Sequence, residues 1–289
     1  MLVSMAEILN HARKEGYGVT APNVQSEDTV RAVIAVAEEL NAPMIIDVNE
    51  FVHPDLPWFG NLIRDLVKTS PVPFAINLDH GRSFSDIMWG IRSGFTSVMV
   101  DRSSMSYEDN VRETQEVVKM CKPLGISVEA ELGHVGMGQN YAVDGVNNLT
   151  DPDEAARFIE ETGVDCLAVA VGTAHGRYKG TPYIDFDLLA KIVEKCGDTP
   201  LVLHGGSGTG DENLYKAVRN GIQKVNLATE LIVAGKESVT EFFEDPNFDK
   251  WQVMPSFMNG YKDRLAHYVK LFGQENRADS FMKDMGYRK

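Results

Sequence analysis

Apolar and polar positions along this chain alternate in blocks. Short apolar runs, many of them β-branched, occur at 17–23 (YGVTAPN), 42–48 (APMIIDV), 72–78 (VPFAINL), 97–101 (SVMVD), 127–132 (SVEAEL), 166–171 (CLAVAV), 200–204 (PLVLH) and 224–228 (KVNLA). Amphipathic segments lie between them. From Ser26 to Leu40, Val30, Val33, Ile34, Ala37 and Leu40 share one helical face. Tyr107 to Cys121 repeats the pattern. DPDEAARFIEETG places Asp151 as cap, Pro152 at the first helical position and Gly163 at the stop. Eight strand-then-helix units at intervals of about 30 residues predict a (β/α)8 TIM barrel in the α/β class. The runs are continuously apolar, as in a parallel sheet covered by helices. A doubly wound open sheet is the alternative, but its first strand would lead into GxGxxG, and here it leads into APNVQSED. The opening segment reads as a short helix with Met5, Ile8, Leu9 and Ala12 on one side. An additional C-terminal helix is expected over Met258–Leu271. No stretch has linker composition, so residues 1–289 are read as a single barrel domain.

Charge narrows the functional classes. The 289 residues carry 28 Lys and Arg against 42 Asp and Glu, a net charge of −14. That disfavours nucleic-acid and anionic-membrane binding, which need basic surfaces. A small phosphorylated ligand stays open, because backbone N–H groups and a helix N-terminus hold a phosphate whatever the global charge. No apolar stretch approaches the roughly 18 residues needed to span a bilayer. The N-terminus lacks the cationic start and apolar run of a signal peptide. Cys121, Cys166 and Cys196 show no metal or redox spacing. They read as reduced, buried thiols of a cytoplasmic protein.

The chemistry concentrates at strand ends, where barrel active sites form. His80, His175 and His204 close the third, sixth and seventh apolar runs, and each is followed by glycine. Three neutral imidazoles with an open fourth position suit a catalytic zinc, with cobalt, manganese or iron as replacements. The remaining histidines, His11, His53, His134 and His267, fall in helices or loops. Asp79 precedes His80. Strand neighbours face opposite ways, so both reach the mouth only if the chain turns there, as Gly81 would permit. Asp79 then transfers a proton or, alternatively, orients a ligand histidine. Glu129 and Glu131 share one face of strand five. Glu131, nearer the mouth, is an alternative metal ligand, while Glu129 has the option of a core polar partner. GTAHG (172–176), HGGSG (204–208) and NLATE (226–230) follow strands six, seven and eight. Together they suggest a phosphate cradle; the alternative is that their glycines only make tight turns.

NLDHG, EAELG, GTAHG, LHGGSG and VNLATE, in that order and spacing, resemble the zinc-dependent class II aldolases, nearest to the tagatose-bisphosphate and related ketose-phosphate subgroup. The likeness runs from APNVQSED to GQENRAD. It implies a barrel, a homodimer or homotetramer, that cleaves a phosphorylated sugar reversibly to dihydroxyacetone phosphate and an aldehyde. His80, His175 and His204 would hold zinc. Asp79 would handle the hydroxyl proton of the aldehyde-derived carbon. Gly176, Gly205, Gly206, Ser207, Asn226, Leu227, Ala228 and Thr229 would hold dihydroxyacetone phosphate, with sodium or another monovalent ion nearby. Breaking a C–C bond beside a carbonyl builds charge that a Lewis-acidic metal stabilises. No Schiff-base lysine is then needed; Lys179 and Lys224 lie near strands six and eight, and Lys224 is at the wrong end of its strand.

Two departures stand out. The loop HVGMGQNYAVDGVNN lacks the glutamate that relatives use for enolisation, leaving Asp144 or Tyr141 as substitutes. Where bisphosphate enzymes carry an arginine for the far phosphate, this chain has Met254 or Pro255, and Arg264 is the nearest arginine. The expected substrate is therefore a ketose 1-phosphate with a neutral or oxidised tail. The rivals are a fructose or tagatose 1,6-bisphosphate aldolase proper, a non-catalytic sugar-phosphate binder, and a metal hydrolase. The first strand lacks the HxH segment common in the last.

Overall fold

The computed structural model describes residues 1–136, 149–176 and 183–287. Eight parallel strands form one sheet: β1 (Val19–Pro22), β2 (Met44–Asn49), β3 (Phe74–Gly81), β4 (Ser97–Val100), β5 (Ser127–Leu132), β6 (Cys166–Val169), β7 (Leu201–Leu203) and β8 (Ile222–Leu227). Their order is β1, β8, β7, β6, β5, β4, β3, β2. The two ends meet through a bridge between Asn23 and Asp47 and a 3.0 Å bond from Val24 N–H to the Asp47 carbonyl. This is the expected TIM barrel, with each apolar run holding one strand.

Alternation within the strands builds two cores. Outward residues such as Ile76, Leu78, Val98, Val128, Leu167 and Leu203 pack under the surrounding helices. Inward residues are small or few: Val19, Ala21, Ile45, Ala75, Met99, Cys166, Ala168 and Val202. The lower barrel is stoppered by α1 (Met5–Glu15), which sends Met5, Ile8, Leu9 and Ala12 into that inner cluster. Ser127 Oγ, at the first residue of β5, accepts the Ala6 N–H at 3.0 Å, fixing α1 to that end. The apolar filling stops halfway up. Asp47, Asn77, Glu129 and Lys224 take the next inward positions, all fully buried. Their polarity marks the floor of the site.

The helices follow the periodicity. They are α2 (Glu27–Glu39), capped by Ser26; α3 (Leu56–Val67); α4 (Phe84–Arg92); α5 (Tyr107–Cys121); α6 (Pro152–Thr162), between the Asp151 cap and a left-handed Gly163; α7 (Phe186–Cys196); and α8 (Asp211–Arg219). After β8 come α9 (Thr229–Phe242), α10 (Val253–Leu271) and α11 (Ala278–Asp284). Helix α10 therefore starts earlier than the expected Met258. Pro255 sits in its first turn, where its missing N–H has no helical acceptor to lose. Close packing joins α9 to α10: a Cβ on Gly235 would lie 2.9 Å from the Phe257 ring. All three cysteines are buried free thiols. No helix among the described residues is long and apolar enough to cross a membrane.

Candidate active site

His80, His175 and His204 come together at the C-terminal mouth of the barrel. Their ring centroids are 4.7 Å (80 to 204), 4.8 Å (80 to 175) and 5.5 Å (175 to 204) apart. One ligand atom from each lies within 4.8 Å of the others. His204 continues the inward register of β7 (Leu201–Leu203) and is wholly buried. His80 breaks the register of its strand. Its φ is +53°, a left-handed conformation rare outside glycine, and the β3–β4 pairing slips between Leu78 and Gly81. The turn that lets Asp79 and His80 face the same space is thus made at His80. Gly81, expected to supply it, is glycine for want of room: a Cβ there would sit 2.5 Å from the Met99 carbonyl oxygen.

Hydrogen bonds set the tautomers. His80 Nδ1 is 2.8 Å from Asp101 Oδ2, and His204 Nε2 is 2.8 Å from Glu129 Oε1. A carboxylate only accepts, so each ring donates there and turns its other nitrogen inward. Those inward nitrogens, His80 Nε2 and His204 Nδ1, are 3.1 Å apart. Two lone pairs that close require a cation or a shared proton between them. His175 Nε2 is buried with no hydrogen-bond partner. Three nitrogen donors aimed at one locus, one of them orphaned, fit a divalent ion with imidazole ligands. Burial and the two neighbouring imidazoles push His175 down to about 3. For His80 burial acts the same way, but Asp79 and the Asp101 bond outweigh it and raise the ring to about 10.

Asp79 sits 3.8 Å from His80 Nε2 through Oδ1. Three side-chain amides hold it: Asn23 at 2.8 Å and Asn49 at 3.1 Å on Oδ2, and Asn226 at 3.1 Å on Oδ1. Burial opposes its charge, yet His80, His204, Lys224 and the Asn23 bond keep the carboxyl well below the usual range. Below it, Lys224 Nζ pairs with Glu129 Oε2 at 2.9 Å and Asp47 Oδ2 at 3.3 Å. Burial disfavours the ammonium, but the surrounding carboxylates raise Lys224 above its ordinary value. A cationic, doubly paired lysine is not a nucleophile. Glu129 thus has two partners, Lys224 and a histidine. Glu131 Oε1 accepts the Val135 N–H at 2.9 Å and lies 3.9 Å from His134 Nδ1, while its buried Oε2 has no hydrogen-bond partner. Glu131 shares a second potential metal group with His80 and Asp101.

The residues expected to cradle phosphate are placed unequally. Gly205 has φ +68°, and a Cβ on it would collide with the Ala174 carbonyl; one on Gly206 would lie 2.9 Å from the Asn226 carbonyl oxygen. Both glycines are therefore required by loop packing itself. Gly176, at φ +77°, has open space beside it. Ser207 Oγ accepts the Glu230 N–H at 3.1 Å at the start of α9. Ala228 is the cap residue of α9 and provides no side-chain cap bond; Thr229 is its first residue. Leu227 is fully buried in the outer core, so only its backbone is available. Asn226 Nδ2 serves Asp79 rather than a ligand. Sequence reasoning missed Asn23, Asn49, Asp101 and Ser103, whose Oγ bridges Asp101 and His134, and it assigned Asn226 to phosphate rather than to Asp79. Their signal was the one that exposed the histidines: polar residues at or just beyond strand ends. Lys179, Tyr141 and Asp144 lie outside the described residues. Arg264 is on α10, one turn before Tyr268.

Comparison with known proteins agrees with this geometry. Residues 3–277 match the family described as fructose-bisphosphate aldolase class-II. A fructose-bisphosphate aldolase from Thermus caldophilus is 38% identical over 96% of this chain and 100% of its own length. One from Geobacillus stearothermophilus is 39% identical over 96% and 99%. Among solved structures, the YdjI aldolase from Escherichia coli superposes with a TM-score of 0.85 at 34% identity, covering 96% of this chain and all of the other. The barrel, the three converging imidazoles and these whole-length matches make this chain a class II aldolase, a lyase of the fructose-bisphosphate aldolase family.

Proposed function

We propose that the protein reversibly cleaves a ketose 1-phosphate to dihydroxyacetone phosphate and an aldehyde, using zinc held by His80, His175 and His204. The observation that carries the reading is the set of three nitrogens aimed at one point with the Asp79 carboxylate beside them. A divalent ion there would supply Lewis-acid polarisation of the substrate carbonyl.

The chain's own residues do the rest. Asp79, ionised and clamped by three amides, accepts the hydroxyl proton of the aldehyde-derived carbon as the C–C bond breaks, and returns it in condensation. The clamp fixes the carboxylate before substrate arrives, so no reorganisation accompanies the transfer. Asp101 and Glu129 keep the two ligand rings in the tautomer that presents a lone pair. Phosphate would rest on the backbone at Gly176 and Gly205–Ser207 and at the start of α9, from Asn226 to Thr229. Asp144 and Tyr141 remain the candidates for the second proton transfer.

The far end of the substrate is read as lacking a phosphate, because Met254 and Pro255 stand in the first turn of α10 where an arginine for that phosphate would be expected. The names of the curated relatives favour a second reading, cleavage of fructose 1,6-bisphosphate. A panel of ketose mono- and bisphosphates, with dihydroxyacetone phosphate release as readout, separates them. Preference for monophosphates, lost on chelation and restored by zinc, supports the first. A strong preference for a 1,6-bisphosphate overturns it.

A further inference from the structure

Lys224 transfers no proton in the chemistry above, yet it is a fully buried cation at the centre of the barrel. Its strand neighbours explain its direction: Val225 packs outward, so Lys224 faces in, one step below Asn226. It reaches across the barrel from β8 to β5, where its Nζ is 2.9 Å from Glu129 Oε2. The other oxygen of that carboxylate, Oε1, takes His204 Nε2 at 2.8 Å. Lys224, Glu129 and His204 are each 0% exposed, so water cannot stand in for any link. We propose that Lys224 is a positioning residue for the metal: by neutralising and fixing Glu129, it sets which nitrogen of His204 faces the ion.

Each link depends on the one beneath it. Glu129 pairs with Lys224 and His204, and no second lysine or arginine stands beside it among the described residues. Without Lys224 a carboxylate in this dry layer lacks its counter-charge. It then no longer stands as a fixed acceptor for His204 Nε2–H, and the His204 Nδ1 lone pair is no longer held toward His80. Asp47, the second partner of Lys224, keeps the ammonium from swinging away, and Asn77 Nδ2 anchors Asp47 in turn at 2.9 Å. The chain of contacts therefore runs Asn77, Asp47, Lys224, Glu129, His204 and ends at the metal locus.

This inference rests on the metal reading above, and the test separates the two. Zinc affinity of the purified protein is measured by chelator competition for the wild type, Lys224→Met, Glu129→Gln and the double variant. If wild-type protein retains no stoichiometric zinc, the metal reading itself fails. If it does, Lys224→Met is expected to bind zinc at least about tenfold more weakly, the usual cost of losing a partner that orients a ligand. Glutamine at this position offers His204 the same carbonyl acceptor with no charge to neutralise, so the double variant should recover most of that loss. A purely structural lysine predicts no such rescue. The proposal is overturned if Lys224→Met binds zinc as the wild type does, or if the double variant is no better than Lys224→Met. Should Lys224→Met not fold, Glu129→Gln alone is compared with the double variant. Equal affinity upholds the proposal; a tenfold drop on losing Lys224 in the Glu129→Gln background refutes it.

Discussion

Replacing Asp79 by alanine isolates proton transfer from metal binding. The carboxylate is not needed to orient His80, whose tautomer is set from the other side by Asp101 at 2.8 Å. Nor is it needed for His204, which Glu129 holds. Zinc should therefore stay. What goes is the group that accepts the hydroxyl proton, and such groups contribute about two to four powers of ten in rate. At about 1.36 kcal/mol per tenfold, the barrier should rise by roughly 3–5 kcal/mol. Alanine also leaves Asn226 Nδ2 without its acceptor, while Asn23 keeps Asn49 Oδ1 and Asn49 keeps the backbone carbonyl at position 79, so a modest stability loss is expected, about 1–3 kcal/mol for a buried donor left unpaired. The assay is steady-state cleavage of the best ketose phosphate alongside zinc content and urea unfolding. A kcat within about tenfold of wild type, with zinc bound, would refute the role of Asp79 as proton acceptor. Loss of zinc together with kcat would instead make Asp79 a metal-site residue.

Two further predictions concern the same site. Without metal, His80 is raised to about 10, so below that pH the ring carries a proton that zinc must displace. Zinc affinity should then climb by about one power of ten per pH unit from near neutrality and flatten above pH 10; calorimetry in buffers of different ionisation enthalpy should show about one proton released, and a flat profile would contradict the assignment. Gly205 and Gly176 both have positive φ, at +68° and +77°, but only Gly205 is crowded. Alanine at 176 should cost about 1–2 kcal/mol from the left-handed backbone alone, and alanine at 205 distinctly more by urea unfolding; equal costs would show that the loop relaxes.

Much of this molecule is legible in its sequence, and the part that is not has a common cause. The strands can be read because each apolar run is bounded by polar turns, and the histidines because they end such runs. The three amides on Asp79 cannot, because Asn23 lies just past β1, Asn49 ends β2 and Asn226 is in β8, and they meet only through the parallel register. Glu129 and Lys224 are 95 residues apart; inward alternation singles out each, but only the closed barrel shows that they touch. The turn beside Asp79 points to Gly81 in sequence because glycine is the usual left-handed residue, whereas the histidine carries that conformation and Gly81 provides space.

The mechanism depends above all on one divalent ion sitting among the three imidazoles. Anomalous diffraction at the zinc edge from zinc-loaded crystals tests this most directly. A single peak is expected about 2.0–2.1 Å from His80 Nε2, His175 Nε2 and His204 Nδ1. A peak bound elsewhere, or none among the three rings at full zinc loading, would contradict it.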